Sequence, residues 1–358
     1  MIYLDHGATD AMRPEALEAM TPWLLQPSNP ASVHRAGQRA RAALESARHD
    51  IAAFLGRSAE GIVFTSGATE ANATWWHAQR ALGRRLVALS AVEHPNSRLA
   101  AEEAGVEQVV LPVGLDGRSS LPEPGSVDAL SLMVANHETG VLQPVSEALR
   151  LGLPTHLDAT QAVGRVPLQL GDAEAVVFAG HKLGGPPGVG VLSLQDGEAF
   201  PALLPGTQER GRRGGTVNVA GAVGLAAACR AAAAELPAEH ARHLALRGPL
   251  EEGLRALGAQ IVGAGAGRVP HTTCAVFPGI PGELLVQSLD LRGIAVSSGA
   301  ACASGSTEPS AVLTAMGHPH PGASLRISRG RGTTVDELQS LLQVLRDVVP
   351  ALRDLEEP

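Results

Sequence analysis

Val176-Val177-Phe178-Ala179-Gly180-His181-Lys182-Leu183-Gly184-Gly185-Pro186-Pro187-Gly188-Val189-Gly190 decides how the rest of the chain is read. An apolar, β-branched run delivers His-Lys into a Gly/Pro-rich turn. Strand ends in α/β proteins present side chains to a site in this way. Lys182 is the single lysine among 28 basic residues; the others are arginine. A guanidinium stays protonated in proteins, whereas a lysine amine can lose its proton and attack a carbonyl. A lone lysine in such a turn points to carbonyl chemistry; the bland reading is a leftover surface lysine.

Thr155-His156-Leu157-Asp158-Ala159-Thr160-Gln161 ends another apolar run in an acid. A strand-terminal Asp beside a strand-terminal Lys suits a pyridine cofactor: the amine takes its aldehyde, and the carboxylate keeps its ring nitrogen protonated. A helix-capping Asp158 is the competing reading. Ile62-Val63-Phe64-Thr65-Ser66-Gly67-Ala68-Thr69-Glu70 runs from a strand into a helix, whose unpaired N–H groups and dipole favour a phosphate, though an ordinary capping turn reads the same. In Ser90-Ala91-Val92-Glu93-His94-Pro95-Asn96, His94 either stacks on a ring and moves protons or caps a helix. Cys302 lies in a run of small residues that reads as an exposed loop, with nucleophilic potential, while Cys229 and Cys274 read as buried apolar residues. Arg326, inside the strand Ser324–Ser328, needs a partner, and a substrate carboxylate is an attractive one.

The 358 residues are 44% hydrophobic and 18% charged, which excludes long disorder. A net charge of −8 argues against a dedicated nucleic-acid binder. Three cysteines cannot build a disulfide scaffold or a four-cysteine zinc site, and no metal is expected. No uninterrupted apolar stretch spans a bilayer, and the first residues lack a signal-peptide pattern, so the expectation is a cytoplasmic protein with no membrane partner. Short strands at 62–65, 86–90, 108–111, 129–135, 155–157, 175–179 and 189–194 alternate with helices, 35–55 among them. The fold class expected is α/β: a mostly parallel seven-stranded sheet with helices on both faces, plus a smaller α+β domain. Helices are expected at 216–236 and, separately, at 239–257. Residues 13–235 are expected to form the large domain, and 1–12 with 236–358 the small one.

Together these segments resemble the cysteine desulfurase family, pyridoxal-phosphate enzymes of the class V aminotransferase superfamily with fold type I. The resemblance covers nearly the whole chain in the family's order. It also takes in Tyr3-Leu4-Asp5-His6-Gly7-Ala8-Thr9, Asn29-Pro30-Ala31-Ser32-Val33-His34, Asn136-His137-Glu138-Thr139-Gly140 and the 208–216 segment. It implies pyridoxal 5'-phosphate joined to Lys182, with Asp158 on the ring nitrogen and Gln161 on the phenolic oxygen. His94 would stack on the ring as an acid/base, with His137 beside the cofactor. Ala68, Thr69 and His181 would hold the phosphate, with Thr216 supplied by the second subunit of a homodimer. Arg326 and Asn29 would bind L-cysteine, and Cys302 would take its sulfur as a persulfide. A protein or thiol acceptor would then receive the sulfur for iron–sulfur cluster or thio-cofactor synthesis.

Two positions depart from the family's pattern. Ala179 stands where a Ser or Thr hydroxyl usually meets the phosphate, a loss of about 0.5–1.5 kcal/mol. His137 stands where Asn is usual. Competing readings are a selenocysteine lyase or aminotransferase-like relative, a catalytically silent binding or regulatory relative, and a cofactor-free Cys/His hydrolase. A visible absorbance band bleached by borohydride is expected of the cofactor readings and of neither of the last two.

Overall fold

The computed structural model describes residues 1–195, 200–299 and 308–354. The order of elements is β1 (Ile2–Tyr3), α1 (Pro14–Leu24), α2 (Arg35–Leu55), β2 (Ile62–Thr65), α3 (Ala68–Ala81), β3 (Leu86–Ser90), α4 (Pro95–Ala104), β4 (Glu107–Leu111), β5 (Ala129–Met133), α5 (Val145–Leu149), β6 (Thr155–Asp158), β7 (Ala175–Ala179) and β8 (Gly190–Leu194). There follow α6 (Val219–Ala256), β9 (Gln260–Ile261), β10 (Thr272–Val276), α7 (Gly282–Asp290), β11 (Ile294–Ala295), α8 (Ala311–Ala315), β12 (Ser324–Ser328) and α9 (Val335–Asp354).

The large sheet has the order β2-β8-β7-β6-β5-β3-β4. Its neighbours pair in parallel except at β8, which runs antiparallel to both β2 and β7. β5, β6 and β7 are buried along their whole length, as strands covered on both faces must be. α2 follows its sequence pattern: Ala40, Leu44, Ala47, Ile51 and Leu55 face the core, and Gly56 ends the helix at φ +65°. A separate core joins Leu4 to Leu254, Phe277, Leu285, Leu325, Ile327 and Leu345. There β10 pairs antiparallel with β9 and β12, while β1 pairs parallel with β11.

Three expectations change. The two helices expected around Pro237 are one continuous helix, α6, which contains Pro237 and Pro249. A proline removes one backbone hydrogen bond, but packing of α6 along α1 and α2 offsets that loss. By overall length and composition α6 could also cross a bilayer, which a search for uninterrupted apolar residues misses. Of its most apolar window, 61% is buried inside the fold. The strand expected at 294–298 stops at Ala295 and resumes only as a bridge between Ser297 and Arg326.

His156, in β6, is fully buried, with its ring stacked on Trp75 at 4.7 Å between centroids. Burial pushes its pKa down to about 4, against a smaller upward pull from Asp158. The fold therefore favours neutral imidazole, while the unfolded chain takes up a proton below about pH 6.5. This stabilisation is complete above that pH and is lost as pH falls toward 4, by about 1 kcal/mol at pH 5.5. Urea unfolding at pH 7.5 and 5.5 should show that part of the drop in the wild type and not in His156→Gln. Equal pH dependence in the two proteins would contradict this assignment.

Candidate active site

All strands of the large sheet but β8 run the same way, so the carboxyl ends of β2, β3, β5, β6 and β7 share one edge. A cleft of about 400 Å³ opens there. Ala68, Thr69 and His94 line it on the α3 and α4 side. His137, Asp158, Gln161, Ala179, His181 and Lys182 line the rest.

The α3 end is built for an anion. The Ser66-Gly67 turn leads directly into Ala68 at the helix start. A Cβ at Gly190 would stand 2.6 Å from the Gly67 backbone, so β8 must carry glycine for the turn to pack there. Glu70 accepts the Ser66 N–H at 2.8 Å and pairs with Arg213 at 2.9 Å. Burial would raise the Glu70 pKa, but hydrogen bonds from Arg213 and Ser66 outweigh it and hold the carboxyl below its usual range. Because Arg213 matches its charge, the helix end keeps its attraction for an anion.

On the floor, Asp158 is 6% exposed. Its Oδ2 accepts from Asn72 Nδ2 at 3.0 Å and its Oδ1 from the Thr160 N–H at 2.9 Å. Neighbouring Glu93 is buried and accepts the Met133 N–H at 2.7 Å. Burial raises its pKa well above the usual range, and the Asp158 charge raises it further. Glu93 is thus held toward its neutral form.

Lys182 Nζ donates to the carbonyls of Gly7 and Ala8, both at 2.7 Å. Gln161 Nε2 donates to the same Gly7 carbonyl at 3.0 Å. The Gly7 N–H in turn donates to Ser328 Oγ at 2.7 Å, tying this turn to β12. His181 Nδ1 lies 3.1 Å from Thr9 Oγ1; burial and then Lys182 lower its pKa. His94 accepts the Asn96 N–H, so it caps α4 and also lines the cleft. The ring of His137 stands edge-on to it at 5.2 Å. Burial, followed by the charges of His94, Arg326 and Lys182, keeps His137 well below its usual pKa, hence neutral.

Other expected residues lie elsewhere. Arg326 is buried and not part of the cleft wall; it donates to the His137 carbonyl at 2.9 Å and to Asp5 Oδ1 at 2.7 Å. Asn29 and Thr216 line a different cavity, beside Arg48 and Glu209, so one chain does not bring them to the cleft. Cys302 lies outside the described residues. Of the residues bordering its segment, Ser310 donates from Oγ to Glu138 Oε2 at 2.6 Å. Gly299, at φ +82°, passes so close that a Cβ there would meet the same oxygen at 2.8 Å.

Sequence reasoning missed Asn72, Glu93 and Glu138. Asn72 sits one helical turn after Thr69, on the same face of α3, and that spacing was the available signal. Glu93 directly precedes a strand-end histidine. Glu138 carried no signal of its own, because its partners are remote in sequence.

The chain matches the family described as Aminotransferase class-V over residues 2–341. A protein named cysteine desulfurase from Cereibacter sphaeroides is 40% identical to it, across 99% of this chain and 97% of the relative. The cysteine desulfurase NifS of Azotobacter vinelandii is 38% identical, across 99% and 94%. Among solved structures, a NifS-like protein superposes with a TM-score of 0.90 at 30% identity, covering 98% of this chain and 100% of the other.

Glu138→Ala should destabilise the protein by about 1–3 kcal/mol in urea unfolding, the cost of leaving the buried Ser310 hydroxyl without its acceptor. Glu138→Gln, which keeps an acceptor for Ser310, should lose less than half of that. Equal losses would show that the Ser310 bond is not what Glu138 contributes.

Proposed function

This chain belongs to the class-V aminotransferase family, and we infer that it is a cysteine desulfurase using pyridoxal 5'-phosphate. The observation that carries the reading is the meeting of the Lys182 amine, the Asp158 carboxylate and the α3 N-terminus in one cleft. The donor set fits the cofactor. An anion-seeking helix end lies at one side, with a buried carboxylate, an amine and the His94 ring lining the rest. Among the described residues, the Thr160 hydroxyl at the cleft and the His137 Nδ1 meet no hydrogen-bond partner, so both are available to a bound molecule. At Ala179 the wall is a methyl group, and the phosphate would rely on Ala68 N–H, Thr69 and His181.

When bound, the cofactor supplies an aldehyde carbon for an amine and a protonated ring that takes up an electron pair. This chain's residues do the rest. Lys182 would hold the aldehyde carbon, and its amine, once free, would take and return the substrate α-proton. Asp158, fixed by Asn72 and the Thr160 N–H, would meet the ring nitrogen and hold its proton. Gln161 and His137 would offer N–H groups to the ring oxygen. Arg326, behind the His137 carbonyl, and Asn29 hold the substrate carboxylate. The Cys302 thiolate attacks the substrate Sγ, the Sγ–Sγ bond forms and the substrate Cβ–Sγ bond breaks. In balance, L-cysteine and the Cys302 thiol give L-alanine and a Cys302 persulfide, which an external thiol or acceptor protein discharges.

The placement of Asn29 and Thr216 away from the cleft supports a homodimer in which a neighbour supplies them. The separate core around Leu4, Phe277 and Leu345 supports a division into residues 13–235, holding the cofactor, and 1–12 with 236–358, carrying Cys302.

Purified protein incubated with L-cysteine should release alanine and carry a persulfide that peptide mapping assigns to Cys302. Lys182→Ala should lose about 10³-fold or more in alanine release, the scale of a lost acid/base and covalent group. Cys302→Ala should lose the persulfide. Undiminished sulfur output from Cys302→Ala would transfer the case to the lyase reading.

A further inference from the structure

A second set of charges lies away from the cleft, where α6 meets the sheet of β9, β10 and β12. His243, Arg247 and Glu251 follow one another at intervals of four on α6, which puts them on one stripe of that helix. Arg268, His271 and Arg329 reach the same stripe from the chain before β10 and after β12. Arg268 Nη1 stands 2.9 Å from Glu251 Oε1, and Thr273 Oγ1 donates to the same oxygen at 3.4 Å. The Arg329 N–H donates to the His271 carbonyl at 2.9 Å, and the rings of His271 and His243 are 6.2 Å apart. Arg329 is completely buried, within the fields of Glu251, Arg247 and Arg268.

The charges here do not balance. Arg247, Arg268 and Arg329 face one carboxylate, Glu251, whose oxygens already serve Arg268 and, at 3.3 Å, Arg255. Among the described residues, neither Arg247 nor Arg329 forms an ion pair. The two histidines add no charge, since burial and then the neighbouring cations push His243 down to about 3 and His271 well below its usual range.

The hydrogen bonds do not close either. Arg329 Nη2 donates to the Pro270 carbonyl at 2.6 Å, but among the described residues its Nε and Nη1 have no acceptor. Arg268 Nε and Arg247 Nη1 also lack one, and the Nδ1 atoms of His243 and His271 are unpartnered. A buried cation with unmet N–H groups is costly unless a counter-charge meets it. Water could satisfy the donors, but it brings no charge.

We propose that this layer binds a small inorganic anion, held by Arg329, Arg247 and Arg268. A compact anion accepts from several directions at once, so it meets both the excess charge and the orphaned donors. None of these residues lines the cleft, so the site is independent of the desulfurase reading.

The test is thermal unfolding of the full-length, cofactor-loaded protein at constant ionic strength. Sodium gluconate is replaced stepwise by sodium bromide in one arm and by sodium phosphate in the other. The unfolding midpoint should rise by about 2 °C per tenfold increase of the free anion, and the arm that responds tells a halide from an oxyanion. Arg329→Met removes both the unpaired charge and the orphaned donors. It should abolish the rise and unfold no lower than wild type in gluconate. Should that variant fail to fold, Arg247→Met is expected to blunt the same rise. Anomalous scattering from bromide in crystals should place an ion against Arg329 if the bromide arm responds. The proposal fails if neither anion shifts the wild type, if Arg329→Met shifts equally, or if bromide appears in crystals without any shift in solution.

Discussion

The parallel pairing of β6 with β7 is the constraint on which the cleft depends. In register, His156 pairs with Ala175 and Asp158 with Val177, so the two strands end side by side. Asp158 then stands at the mouth of β6, and the chain leaving β7 at Ala179 turns at once into Lys182. A slip of one residue would exchange the faces of β6 and send its acid toward the opposite layer. Full burial of both strands makes such a slip costly, because every residue on either face has a packed partner. The acid and the amine are brought together by backbone hydrogen bonds between apolar strands, not by attraction for each other.

The rim depends on contacts that reach across the whole chain. The turn at Gly7 and Ala8 is held against β12 by Ser328, and it supplies the carbonyls that Lys182 and Gln161 meet. Arg13 reaches the Leu183 carbonyl at 3.0 Å and Glu235 at 2.8 Å, fixing the turn after Lys182 to the middle of α6. The cavity holding Asn29 and Thr216 is braced by Arg48 and Glu209, paired at 2.9 Å while buried. Glu209 and Arg210 hold left-handed backbone there, at φ +47° and +57°, and the Phe64 N–H donating to Glu209 ties that segment to β2.

Local patterns in the sequence were legible in proportion to how local their causes are. Strands 62–65, 86–90 and 175–179 and helix 35–55 could be read because alternation, period and a terminal glycine are written in adjacent residues. The lone lysine and the strand-end acid could be read for the same reason. The joining of two helices into α6 could not, since the packing that offsets Pro237 comes from α1 and α2, far away in sequence. Arg326 illustrates the limit within the site. The sequence shows that a buried arginine needs a carboxylate, and a substrate was one candidate, but Asp5 fills that need here from the other end of the chain. The unbalanced arginines beside α6 were equally invisible, because Arg247 on that helix meets Arg268 and Arg329 from two other segments.

That pairing of Arg326 with Asp5 sets the terms on which any acid can enter. The guanidinium is never a bare charge waiting in the interior, because Asp5 offsets part of the cost of burying it. An arriving carboxylate must share the fork or push Asp5 aside, trading one anion for another of the same kind. Such an exchange is close to energetically level, which favours easy turnover at that corner over tight retention.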